Sequence, residues 1–219
     1  MEKKTALVVG ATGLVGKELL QILLDATEYG RLIAIVRRPI DIDYPKLKVA
    51  ICNFDKLEEL DKECYNVDDV FCCLGTTIKK AKTQEAMHKI DVEYPTLIAK
   101  LAKENGAKHF LLVSSMNADS SSRIFYPRIK GQLEDDIKNI PYERISIFRP
   151  SILLGDRNEN RFGEKLAIKI YRLIEFVARK PIPKLGIEVK TVAYGMYKAA
   201  QTDCLDRVVI YNSGKIAEF

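Results

Sequence analysis

Histidine is nearly missing from this chain. Only His88 and His109 occur in 219 residues, so a zinc site, which draws on His and Cys ligands, has little to build on. Cysteine does not fill the gap. The five cysteines, Cys52, Cys64, Cys72, Cys73 and Cys204, are odd in number and show no C-x-x-C spacing. They read as reduced core residues of a cytosolic protein, and no bound metal is expected. No apolar run reaches the roughly eighteen residues of a membrane span, so no membrane partner is predicted. The lead from Met1 to Thr5 runs straight into an apolar segment, which predicts no signal peptide and a cytoplasmic location. Repeats, low-complexity tracts and linkers are absent as well. A nucleic-acid binder would carry a wide basic stripe with interleaved aromatics. The densest basic cluster here, Lys79-Lys80-Ala81-Lys82, is too short for that and reads as a solvated loop.

What is present is an ordinary globular balance, 47% hydrophobic and 30% charged. It predicts a single domain over 1–219 with one core. Charges are well mixed, 35 basic against 30 acidic, for a net +5. The small surplus suits an anionic cofactor or substrate.

The informative stretch is Gly10-Ala11-Thr12-Gly13-Leu14-Val15-Gly16. It follows the apolar run Ala6–Val9 and opens a helical pattern that continues to Leu24. A strand, a glycine turn and a helix start in that order make a dinucleotide-binding unit. Gly10 permits the tight turn, Gly13 lets a pyrophosphate approach the backbone, and Gly16 lets the helix pack close. The helix N-terminus then offers N–H groups and partial positive charge to the phosphates.

Further strand-like runs follow at 32–36, 49–52, 70–74, 110–113, 145–148 and 208–211. They are continuously apolar, as parallel strands covered on both faces should be. Helical patterns lie between them at 55–60, 84–104, 127–138, 164–177 and 191–202. The alternation predicts an α/β fold: a doubly wound, mostly parallel Rossmann sheet with ligand at the carboxyl ends of its strands. About 1–150 forms the cofactor part, and about 151–219 a small substrate-side region.

At the end of the second strand an NAD site would usually carry a carboxylate for the ribose hydroxyls, about 20 residues past the turn. Arg37 and Arg38 stand there instead. Guanidinium forks grip a 2′-phosphate that a carboxylate would repel, so NADP(H) is expected over NAD(H). Asp55, after the third strand, suits either the adenine amino group or a helix N-cap. Leu74 and Gly75, at the end of the fourth, fall where a pyrophosphate and nicotinamide ribose would lie.

Ser114 and Ser115 end the fifth strand, and Tyr126 and Lys130 follow. A Tyr-x-x-x-Lys spacing puts both side chains on one helix face. Free phenols are poor acids at neutral pH; an adjacent ammonium brings proton transfer into range. A serine hydroxyl at the strand tip would hold a substrate carbonyl. Pro127 complicates this. It suits the first helical position, which puts Tyr126 at the cap and leaves its convergence with Lys130 open.

With these residues the chain resembles the atypical short-chain dehydrogenase/reductases, most nearly the Tat-interacting-protein-like oxidoreductases. The resemblance is carried by Gly10 to Gly16, Arg37-Arg38, Cys72 to Thr77, Lys108 to Phe110 with Ser114-Ser115, Tyr126 to Gly131, and Phe148-Arg149-Pro150 leading to Gly155-Asp156-Arg157. It implies Tyr126 as proton donor or acceptor with Lys130 as its partner. It implies Thr12, Gly13, Leu14 and Val15 at the phosphates, and Arg37 and Arg38 at the 2′-phosphate. Leu74, Gly75 and Leu153 would line the nicotinamide end, with Arg161 near the mouth. One departure is Asp91, where many members carry an asparagine that serves a proton relay. The expected activity is NADPH-dependent reduction of a small carbonyl compound. The alternative is a non-catalytic NADP(H) sensor or protein-interaction module, since the subgroup includes members whose known role is protein interaction.

Overall fold

A computed structural model describes residues 3–155 and 186–219. The expected helix at 164–177, and Arg161 with it, lie outside the described residues.

Seven strands form one sheet: β1 (Lys4–Val9), β2 (Tyr29–Val36), β3 (Leu47–Ile51), β4 (Asp69–Cys72), β5 (His109–Val113), β6 (Arg144–Arg149) and β9 (Val208–Asn212). Their order is β3-β2-β1-β4-β5-β6-β9, and every neighbouring pair is parallel. The order reverses between β1 and β4. That reversal opens a crevice at the carboxyl ends of those two strands, where open α/β sheets bind ligands. A separate parallel pair, β7 (Ile152–Leu154) with β8 (Gly186–Glu188), was not expected from the sequence.

Alternation along the strands divides the core in two. Leu7 and Val9 join Val70, Phe110 and Leu112 on one face. There they meet α4 (Tyr94–Glu104) through Ile98, Ala99 and Ala102, and α5 (Phe125–Asn139) through Ile129, Leu133 and Ile137. Ala6 and Val8 point the other way, toward α1 (Leu14–Asp25) and α6 (Val189–Gln201), which bury Leu19, Leu20, Leu23, Val192 and Met196. Burial on both faces explains the unbroken apolar runs.

Local departures have local causes. The pattern at 84–104 is one helical rod in three parts: α3 (Gln84–His88), a π-helical turn (Lys89–Glu93) and α4. Pro95, near the start of α4, has no N–H for the Asp91 carbonyl, and the preceding turn widens: Tyr94 N–H reaches back to the Lys89 carbonyl. The expected helix at 55–60 is a 3-10 turn, Phe54–Glu59. The lysine cluster is not an open loop; it lies on a one-turn helix, α2 (Ile78–Ala81), capped by Thr77. Cys64 and Cys72 are buried, but Cys204 is exposed and is not a core residue.

The amino ends of the strands hold a buried polar network. Asp69 accepts from the Tyr29 hydroxyl at 2.7 Å and pairs with Lys4 at 3.2 Å. Burial outweighs these partners and raises its pKa. Arg144 donates to His109 Nδ1 at 2.8 Å. That nitrogen must therefore accept, which leaves Nε2–H to donate to Ser146 Oγ at 2.9 Å. Lys4 bonds the Ala200 carbonyl near the end of α6 and Arg144 the carbonyl of its C-cap, Thr202, where cations offset the helix dipole.

Burial, with Arg144 and Lys4 beside it, lowers the His109 pKa to about 3. The unfolded chain protonates this ring below pH ~6.5 and the folded chain does not. The neutral ring therefore contributes stability that is complete above pH ~6.5 and is lost as pH falls toward 3. Asp69 acts in the opposite sense, since its raised pKa favours the folded state as it protonates. Urea unfolding at pH 7 and pH 5 isolates the histidine: the wild type should lose about 2 kcal/mol more than His109→Gln across that interval. Equal losses would contradict the assignment.

Candidate functional site

The glycine turn closes on itself at the crevice. Gly10 has φ +82, and a Cβ there would lie 2.6 Å from the Cys73 carbonyl. The ends of β1 and β4 can meet only across a residue without a side chain. Gly13 N–H bonds the Gly10 carbonyl at 2.9 Å, and a Cβ on Gly16 would strike that same carbonyl oxygen at 2.2 Å. The first bond of α1 runs from Lys17 N–H to the Gly13 carbonyl at 3.0 Å. The N–H groups of Leu14, Val15 and Gly16 precede it. Among the described residues no side chain caps this end, and its first turn holds no acidic residue. Thr12 and Gly13 are exposed, whereas the Val15 side chain is buried in the core. Only backbone N–H from Val15 and Gly16 can therefore face a ligand. This cradle fits a pyrophosphate.

Arg37 and Arg38 follow β2 directly and are exposed. Val9 aligns with Ile35, so the arginines extend from β2 beside the glycine turn. Among the described residues neither guanidinium has a hydrogen bond or ion pair. Asp55 is not the N-cap of its turn. Asn53 is, accepting from Asp55 N–H at 3.1 Å. The Asp55 carboxylate instead takes the Tyr94 hydroxyl and pairs with Lys89 at 2.6 Å. Phe54 is buried edge-on against Tyr94.

The tyrosine and lysine converge. α5 begins at Phe125, two residues earlier than expected, so Tyr126 is inside the helix and not at its cap. Pro127 stays within the first turn, where no N–H is needed. Lys130 Nζ lies 5.9 Å from the centre of the Tyr126 ring. It is buried and pairs with Asp91 Oδ2 at 2.9 Å. Asp91 Oδ1 accepts from Thr76 N–H at 2.8 Å. A Cβ on Gly75 would sit 3.6 Å from Asp91 Oδ2 and 3.7 Å from Lys130 Nζ. The pair thus lies directly under the turn that leaves β4. Burial works to lower the Lys130 pKa, but Tyr126 and Asp91 outweigh it and hold the ammonium above the ordinary range.

The two serines differ. Ser114 Oγ donates to buried Glu134 Oε1 at 2.6 Å. Arg149 grips the same carboxylate with two bonds, at 2.9 and 2.6 Å. Among the described residues Ser115 Oγ is buried with no hydrogen-bond partner. Ser114 therefore ties the tip of β5 to β6 and α5, and the Ser115 hydroxyl takes no part in that network. Gly131 lets the next loop lie on α5: a Cβ there would meet Ser120 N at 2.0 Å. Leu74 is half-buried and packs against the α4–α5 side of the core. Leu153, on β7, packs against the α1 side of the core. Glu134 was not singled out from the sequence, though its signal is there. Tyr126, Lys130 and Glu134 follow at steps of four, one helix face.

A family model described as NAD(P)H-binding matches residues 10–139. Protein HTATIP2 of Rattus norvegicus is 37% identical over 174 residues, covering 78% of this chain and 72% of its own. Protein FMP52, mitochondrial, of Eremothecium gossypii is 34% identical over 216 residues, covering 96% and 95%. Among solved structures, MoeE5 in complex with UDP-glucuronic acid and NAD superposes with a TM-score of 0.71 at 18% identity, covering 95% of this chain and 76% of that one. At that identity the likeness establishes the fold. The expected cytoplasmic location does not survive the comparison, because the FMP52 relatives are named as mitochondrial proteins. Composition carries no address that could have revealed this.

Proposed function

Because this chain belongs to the NAD(P)H-binding family, sharing its oxidoreductase-like Rossmann domain with HTATIP2 and FMP52, we propose that it is an NADPH-dependent reductase of a small carbonyl compound. One observation carries the reading: a buried ammonium, Lys130, sits between the Tyr126 ring and the turn that leaves β4. Bound NADPH supplies the hydride. The chain's own residues do the rest. Ser115, whose hydroxyl is buried and unpartnered among the described residues, holds the substrate carbonyl once its Oγ turns outward. Tyr126 delivers the proton to the carbonyl oxygen as that oxygen gains charge. Lys130 stabilises the phenolate left behind, and bulk solvent returns the proton through Tyr126, which is exposed.

In this reading Leu14, Val15 and Gly16 N–H groups hold the pyrophosphate, with Thr12 and Gly13 beside it. Asp55 meets the adenine end, Leu74, Gly75 and Leu153 the nicotinamide end. Arg37 and Arg38 hold the 2′-phosphate, which sets NADPH above NADH. Charge-assisted bonds contribute about 1.5–3 kcal/mol each. Arg37→Ala/Arg38→Ala should therefore weaken NADPH binding by roughly 10²- to 10⁴-fold and leave NADH binding nearly unchanged. Parallel losses for both cofactors would contradict the assignment.

The function itself is tested by following NADPH absorbance with the wild-type protein and a panel of small aldehydes and ketones. Consumption with at least one of them is expected. Tight NADPH binding with no consumption across the panel would overturn the reductase reading in favour of a cofactor-binding module.

A further inference from the structure

Lys130 is not held by its own helix. Its partner Asp91 comes from the π-helical turn Lys89–Glu93, which Pro95 widens, and it is completely buried. The two oxygens of this carboxylate have different tasks. Oδ1 accepts from Thr76 N–H at 2.8 Å, on the turn after β4. Oδ2 faces Lys130 Nζ at 2.9 Å. One side chain thereby joins the cofactor-side turn to the lysine behind Tyr126. A charge buried this far needs a close partner, and each of these two supplies the other.

We infer that Asp91 is a positioning residue that clamps Lys130 under the Gly75–Thr76 turn and sets the charge facing Tyr126. This rests on the reductase reading of Tyr126 and Lys130. The groups facing the ammonium are Asp91, Tyr126 and Cys72. Burial pushes the Cys72 thiol up to about 11, so it brings no charge at neutral pH. Asp91 is then the fixed counter-charge. An asparagine at this position would leave the ammonium uncompensated. A carboxylate keeps it charged well into alkaline conditions and moderates its pull on the phenol.

Two variants separate the tasks. Asp91→Asn keeps an oxygen for Thr76 N–H and removes the charge; Asp91→Ala removes both. In Asp91→Asn the alkaline limb of the kcat profile for carbonyl reduction should move down by about one pH unit or more, because a close opposite charge shifts a lysine by that much. Its NADPH affinity should stay within about twofold, whereas Asp91→Ala should also lose about fivefold in NADPH affinity through the freed turn. A folded Asp91→Asn with the wild-type pH profile would overturn the inference.

Should neither variant fold, the wild type decides. The 13C shift of Lys130 Cε, assigned from the backbone, should still report an ammonium above the ordinary lysine midpoint of about 10.4. Titration at or below that value would also overturn the clamp. A wild type that consumes no NADPH but keeps Lys130 charged there would reject the reductase reading alone.

Discussion

Tyr126→Phe is expected to lower kcat/KM for carbonyl reduction by about 10²- to 10⁴-fold, the usual worth of a positioned proton donor. NADPH affinity should be unchanged. The change removes one hydroxyl from a ring that is 41% exposed, so it opens no cavity and strands no buried partner. Lys130 keeps Asp91 at 2.9 Å, and Ser115 keeps its place on the tip of β5. What disappears is the group proposed to hand a proton to the substrate oxygen. The loss should therefore fall on kcat, with the substrate KM little altered. If the variant reduces carbonyls at the wild-type rate, the proton comes from elsewhere and Tyr126 leaves the mechanism.

Glu134→Ala should destabilise the fold by about 1.5–3 kcal/mol, the worth of hydrogen bonds to a buried charge, because the Arg149 side chain is 28% exposed and still reaches water. Glu134 is fully buried and serves three donors: Ser114 Oγ at 2.6 Å and two Arg149 nitrogens at 2.9 and 2.6 Å. Truncation leaves the guanidinium facing a cavity and Ser114 without its acceptor. Because these bonds tie the tips of β5 and β6 to α5, Ser115 should also lose its position and turnover should fall. Removing the second charge separates packing from electrostatics. Glu134→Ala/Arg149→Met should recover part of the loss, since a buried pair replaced by apolar groups costs far less than a half-pair. Urea denaturation reads both. A midpoint for Glu134→Ala equal to wild type would mean that this network does not hold the two strand tips.

The readable parts of the sequence are those where the backbone alone fixes the outcome. Gly10 and Gly16 stand where any Cβ would strike the Cys73 or Gly10 carbonyl, so the cradle was legible from spacing. Strands buried on both faces write continuous apolar runs, which gave the sheet and its sequence of strands. Tyr126 and Lys130 were legible as a helical pair. Pro127 suggested a later helix start, but a proline is tolerated anywhere in the first turn, and the helix begins at Phe125.

Tertiary partners were not legible. Ser114 and Ser115 are adjacent, and what separates them is Glu134, twenty residues on. Asp55 suited either a cap or the adenine amino group; Asn53, two residues earlier, takes the cap bond and leaves the carboxylate to Tyr94 and Lys89. The strands β7 and β8 are three residues each, too short to leave a pattern. Asp91 could be picked out as unusual, but its pairing with Lys130 depends on a π turn that no periodicity announces.

The central claim is that the Gly10–Gly16 turn and the end of β4 form a pyridine-dinucleotide site. Calorimetric titration of the wild-type protein with NADPH and with NADH tests it most directly. The account predicts saturable binding of both, NADPH the tighter, with a rise in Tm at saturation. No heat and no thermal shift with either cofactor would contradict it.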